Sequence, residues 1–245
     1  MDKYRELCGT LLEFGYTPLT VGEFLEGAES PRVVILRHDI DRKPSNALKM
    51  AELEQGLGIS ATYYFRYPYT FRPEIIRKIH SMGHEVGYHY EVLSKAKGDH
   101  GKAIQMFEKE LSAFREVCEI STICMHGSPL SRYDNRDLWN SYDFRDCGLK
   151  GEAYLSMAGK NLLYLTDTGR NWSGKNSIRD MMPGAEAVPV ETTDDLVGWI
   201  GSLGKECIYL TVHPERWALS EGEWAVSYSW DVVTNFGKIV LAMVQ

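Results

Sequence analysis

Short apolar runs alternate along this chain with longer stretches in which apolar residues recur every three or four positions. The runs, rich in β-branched and aromatic residues, read as buried strands, and the longer stretches as amphipathic helices. Strands are predicted at 32–38 (RVVILRH), 60–66 (SATYYFR), 85–89, 121–126 (STICMH) and 207–212, with weaker ones at 153–156 and 162–166. A helix opens at Pro44 and runs to about Gln55, a second opens at Pro73 and stops at Gly83, and others are predicted at 99–118, 134–139 and 193–203. Two helices, 2–14 and 20–25, precede the first strand, and Thr20 and Glu23 have capping-box spacing. The Gly-, Pro- and polar-rich stretch 171–190 has the length of an active-site lid, and a closing helix is predicted from Glu223. This β-α-β-α order predicts an α/β fold: a single parallel (β/α) barrel over 1–245, with a helical extension at 1–30.

Composition narrows the class without changing that architecture. The chain has 245 residues, 44% hydrophobic and 25% charged, the make-up of an ordinary globular domain rather than a disordered or fibrous one. A net charge of −7 disfavours non-specific nucleic-acid binding but is compatible with a neutral sugar or other small molecule. The five cysteines form no C-x-x-C pair, so free thiols in a reducing cytoplasm are expected. Residues 1–12 lack a signal-peptide core, and no apolar run is long enough to insert in a membrane. Oligomeric state is not encoded in any pattern of this kind.

Chemistry concentrates where strands end. Side chains two apart share a strand face, which puts Arg37, Asp39 and Asp41 together if the extended conformation persists to Asp41. Two carboxylates so close repel unless a proton, a cation or Arg37 intervenes, so one suits a metal and the other a base; the competing reading is that either Asp caps the next helix. The third strand, GHEVGYHYE, puts Glu85, Gly87, His89 and Glu91 on one face, the fourth puts Cys124 and His126 on one face, and the last does the same for Tyr209, Thr211 and His213. Each His falls at a predicted strand's C-terminal end, the pole where α/β barrels hold their chemistry, although a lone His there is as readily a hydrogen-bonded structural residue.

This constellation resembles the polysaccharide deacetylases, the NodB-like carbohydrate esterases. ILRHDIDRKP at 35–44 stands where that family has its T-F-D-D-G-like motif, GHEVGYH at 83–89 matches its G-H-E-x-G-x-H segment, and Leu-Thr-Val-His at 210–213 stands where it has its last-strand L-x-H motif. The chain is more similar still to deacetylase-like proteins of bacterial O-antigen and surface-polysaccharide gene clusters. The resemblance implies a seven-stranded barrel and a divalent metal, most simply zinc, held by Asp41 and His89. It also implies Asp39 as base, His213 as general acid, and an N-acetylated sugar as substrate. Two departures stand out: Ile40 separates the two Asp residues, and Leu93 occupies the position of the family's second metal His. His126 is the expected replacement ligand, with Glu91 second. The family's Arg-containing motif is also absent, and Arg66 or Arg170 is expected to supply its positive charge. Asp167, Trp172 and Trp217 complete the expected substrate-binding set, with Tyr88 as a further flat surface. Two other readings of the same residues are a metal-dependent amidohydrolase acting on a small non-sugar amide, and a catalytically inactive carbohydrate-binding barrel.

Overall fold

In the computed structural model, which describes residues 1–128, 131–173, 188–204 and 207–217 together with Met182 and Gly222, the predicted alternation is realised. The chain begins with α1 (Asp2–Glu13), β1 (Thr17–Leu19), α2 (Val21–Leu25) and β2 (Val33–Ile40). It continues through α3 (Pro44–Gly56), β3 (Thr62–Phe65), α4 (Pro73–Ser81) and β4 (Glu85–Tyr90). Then come α5 (Val92–Lys95), α6 (His100–Arg115), β5 (Thr122–Met125), β6 (Gly151–Glu152), β7 (Leu163–Thr166), α7 (Thr193–Ile200) and β8 (Cys207–Val212). Every strand pair is parallel, and seven strands run in the order β6-β5-β4-β3-β2-β8-β7.

Side chains, rather than backbone pairing, close the curl of this sheet. Among the described residues, β6 and β7 share no ladder. Instead, Tyr154 just beyond β6 meets Tyr164 of β7 with ring centroids 6.4 Å apart, and the Tyr209 hydroxyl of β8 donates to the Ala153 carbonyl at 2.9 Å. The result is a parallel (β/α) barrel with helices outside, in which the strands are buried on both faces.

Three local expectations are corrected. β1 lies between the two helices predicted at 2–14 and 20–25, where no strand is expected; three residues carry too little pattern to register, yet Thr17↔Val33 to Leu19↔Ile35 pair along the lower part of β2, below its pairing with β3. The predicted strand at 153–156 is a turn, because the Glu152 carboxylate accepts the backbone N–H of Tyr154 and of Leu155, both at 2.8 Å, and bends the chain. The short helix near Asp134 is 3₁₀ rather than α, running Asn135–Asn140 with Asp134 as its cap. Most of the predicted 171–190 lid and the closing helix from Glu223 lie outside the described residues.

Alternation along β2 sets what lies on each side. His38 points outwards to α1 and α3, where its ring nitrogen lies 2.7 Å from Glu54, while Arg37 and Asp39 point into the barrel. The register Asp39↔Tyr64↔Gly87 brings the Tyr64 ring across Gly87. A Cβ added at Gly87 would lie 2.2 Å from Tyr64 Cε1 and 2.9 Å from the Thr122 carbonyl oxygen. That explains the glycine two residues before His89: a side chain there would push β3, β4 and β5 apart just below the site. Gly87→Ala is therefore expected to destabilise the fold by about 2 kcal/mol or more through overpacking. Chemical unfolding of the variant beside the wild type measures it, and equal stability would mean that the strands yield without cost.

Candidate active site

The strand ends deliver their polar residues to the barrel's C-terminal pole, and Asp39 is buried among them. Its carboxylate is held bidentately by Arg37 two residues earlier on the same strand, Nε to Oδ1 at 2.8 Å and Nη2 to Oδ2 at 2.5 Å. Arg37 is fully buried, with its guanidinium carbon 4.2 Å from the centroid of the Tyr154 ring and one nitrogen 3.3 Å from the Tyr209 hydroxyl. Burial alone would push Asp39 up; the charges of Arg37 and His89 overcome it and hold the carboxyl below its ordinary range. The positive charge beside the candidate base is that of Arg37, because strand alternation places it on the same face as Asp39 with no loop in between; neither Arg66 nor Arg170, the expected sources, holds Asp39 in this way. Arg66 lies beside the site in another capacity, and Arg170 sits with a left-handed backbone (φ 61°) in the turn after β7.

Asp41 lies just beyond β2, and two imidazoles face it. Asp41 Oδ1 is 3.5 Å from His89 Nε2 and 3.4 Å from His126 Nε2, and the two rings lie edge to face with centroids 5.3 Å apart. Each ring is aimed by its other nitrogen: His89 Nδ1 lies 3.0 Å from the Cys124 carbonyl, and His126 Nδ1 is 3.0 Å from Glu91 Oε2. With Nδ1 so engaged, each ring presents its Nε2 towards Asp41, the atom that a neutral imidazole would offer to a cation bound there. Asp41 Oδ1 is buried and has no hydrogen-bond partner among the described residues. Despite burial, the charges of His126 and His89 hold Asp41 well below its ordinary range.

An orphaned carboxylate oxygen and two imidazoles, one held from behind by the Cys124 carbonyl and the other by Glu91, make a donor set that fits a divalent cation such as zinc. Another group, Asp39, His89 and Cys124, has potential ligand atoms all within 4.8 Å of one another. It suits a cation less well, because both Asp39 oxygens are committed to a buried guanidinium. Glu91, the second choice as replacement ligand, stands behind His126 and accepts from Arg66 Nη2 at 2.8 Å. Burial opposes its charge, but His126 and the neighbouring cations bring it down to about 2. Leu93 is buried in α5.

No protein-family model and no curated protein sequence matches the chain. Among solved structures it is similar to a family 4 carbohydrate esterase from Bacillus anthracis, at 13% identity with a TM-score of 0.46, over 94% of this chain and 86% of that one. It is also similar to the esterase domain of a multidomain xylanase from the hindgut metagenome of Trinervitermes trinervoides, at 12% identity and TM-score 0.44, over 87% and 83% of the two chains. A third similar structure is a mutant family 4 pseudoenzyme with restored enzymatic activity, at 12% identity and TM-score 0.46, covering 86% of this chain and 68% of that one.

Across the pole from Arg66, β7 and β8 end in a second charged unit. His213 Nδ1 is 2.6 Å from Asp167 Oδ1, and Asp167 Oδ2 accepts from the His213 backbone N–H at 3.1 Å and from Trp217 Nε1 at 2.9 Å. Arg216 Nη1 donates to Asp167 Oδ1 at 2.8 Å. Trp217 is thus buried (8% exposed) and committed to Asp167; Trp172 (3% exposed) donates to Thr193, and Tyr88 is buried against α6. The structure brings Asp39, Asp41, His89, His126, His213, Asp167 and Arg66 to one pole but keeps the flat faces of these three aromatics inside. Glu215, which the sequence reading passed over, is buried there too, and burial together with the Asp41 charge pushes its carboxyl up to about 7. The signal available was its place in HPER directly after the strand-end His.

Burial and Arg216 push His213 down, but Asp167 and Asp41 outweigh them and raise it to about 9. Because that lies above the ordinary 6.5, the protonated ring adds stability that is complete below pH 6.5 and lost as pH rises through about 9. Asp167 works in the opposite sense: brought down to about 2, it adds stability present above pH 3.8 and lost as pH falls through about 2. Histidine NMR titration is expected to show His213 protonated past neutrality, and Asp167→Asn to lower its midpoint. A midpoint unmoved by that substitution would remove Asp167 as the group that sets the charge.

Proposed function

We propose that this chain is a metal-dependent hydrolase that removes an N-acetyl group from a sugar or sugar-containing intermediate of bacterial surface-polysaccharide synthesis. The observation that carries this reading is the convergence of Asp41, His89 and His126 between a carboxylate kept ionised and an imidazole kept protonated. Asp41, His89 and His126 would hold the cation, most simply zinc, which when bound supplies Lewis-acid polarisation and a water of lowered pKa.

The chain's own residues account for the proton transfers. Asp39, ionised through its Arg37 pair, accepts the proton of the attacking water. His213, charged at neutral pH and aimed by Asp167, donates a proton to the departing sugar amine. Both groups are in their working protonation states at the same pH because their environments push them apart. His126 takes the place of the imidazole that Leu93 does not supply, and Glu91 holds it there. The reducing interior of a bacterium suits five cysteines that form no disulfide, and among the described residues no helix is long and apolar enough to cross a membrane.

The test combines metal content with acetate release from N-acetylated sugars. Asp39→Asn is expected to keep its metal and lose activity by about 10²–10⁴-fold, the usual contribution of an acid or base. His126→Ala is expected to lose both. Wild-type zinc content in His126→Ala would overturn the ligand assignment, and acetate released only from small non-sugar amides would overturn the sugar assignment.

A further inference from the structure

Tyr69 is the most exposed large hydrophobic side chain among the described residues, at 58%. It is held in place nonetheless. The turn that carries it follows β3 and is pinned at Thr70, whose hydroxyl donates to the Ile40 carbonyl at 2.9 Å and accepts the Arg66 backbone N–H at 2.8 Å. Ile40 ends the strand that delivers Asp41, so the turn and the candidate metal centre share one anchor.

Two cations fix the ring itself. The Arg66 guanidinium carbon lies 4.8 Å from its centroid and the Lys95 ammonium 5.7 Å. Arg66 also reaches the centre, with Nη2 on Glu91 at 2.8 Å and Nη1 3.4 Å from the Asp41 carbonyl. One guanidinium therefore stands between the Tyr69 ring and the residues around Asp41. Both cations are balanced locally: Arg66 pairs with Glu91, and Lys95 lies 3.1 Å from Glu110. What Tyr69 leaves exposed is amphipathic aromatic surface whose neighbouring cations are paired, suited to the C–H face of a neutral sugar ring. No other aromatic expected to line the site offers such a surface, since Trp172, Trp217 and Tyr88 are buried.

We propose that Tyr69 is the stacking platform for a sugar ring next to the one that carries the reacting acetyl group, so that the ligand is at least a disaccharide. The proposal rests on the sugar-directed reading of the Asp41 site. A ring bound at the centre is separated from Tyr69 by Arg66; the next ring along the chain meets it.

The test is binding of N-acetylglucosamine and of its β-1,4-linked disaccharide to zinc-loaded protein by titration calorimetry, with acetate release recorded in parallel. The wild type is expected to bind the disaccharide about tenfold more tightly than the monosaccharide, the worth of one good aromatic contact. Tyr69→Ala is expected to remove that preference and Tyr69→Phe to keep it, with circular dichroism unchanged in both. A wild type with equal affinity for the two sugars, a preference that survives Tyr69→Ala, or no binding of either sugar would each overturn the platform. Acetate release reports separately on the hydrolase reading: a Tyr69-dependent preference without acetate would support the platform and reject the catalysis.

Discussion

The buried pairing of Arg37 with Asp39 is the constraint around which this barrel is organised. An isolated carboxylate inside a barrel would protonate, and an isolated guanidinium would bear a desolvation cost of several kcal/mol. Two residues apart on β2, they meet on one face without any loop having to be ordered. The aromatic lining then follows: Tyr154 packs on the guanidinium, Tyr209 accepts from it, and the same two residues help close the curl between β6 and the β7–β8 edge. One ion pair thus fixes a charge at the centre and contributes to the shape of the wall around it.

The opposite face of β2 carries a matching arrangement. Glu54 of α3 lies buried against His38 and accepts from the hydroxyls of Tyr4 and Tyr63, so its charge is spread over donors from α1, β2 and β3. Burial pushes Glu54 up, but His38 and the neighbouring donors hold it below its ordinary range. Removing one partner from such a unit typically costs about 3–5 kcal/mol, and β2 carries a buried charge pair on each of its faces.

Much of this was legible in the sequence, and the rest was hidden for physical reasons. Strand parity put Asp39 inside and His38 outside, and the His at each strand end came to the same pole, because period-2 alternation survives whatever the strands pack against. The short β1 and the turn at Glu152 were not legible: the first has too few residues for a period, and the second depends on a side chain capturing backbone N–H groups. The burial of Trp172 and Trp217 was equally hidden, since an indole reads the same in sequence whether it faces substrate or a neighbouring carboxylate. The role of Arg37 was within reach, as it shares a face with Asp39, but a resemblance that placed the cation on another strand drew the expectation to Arg66 and Arg170.

The contact between Tyr4 and Trp217, with ring centroids 5.1 Å apart, ties α1 to the His213 side of the pole. Trp217 holds Asp167, and Asp167 holds His213, so the first helix is the far end of a rigid relay that ends at an imidazole. A helix that looks like outer cladding is in this sense part of the instrument: a fusion partner or label that levered α1 away from the barrel would loosen the support of His213 through Trp217 and, through Tyr4, a donor to Glu54 behind β2.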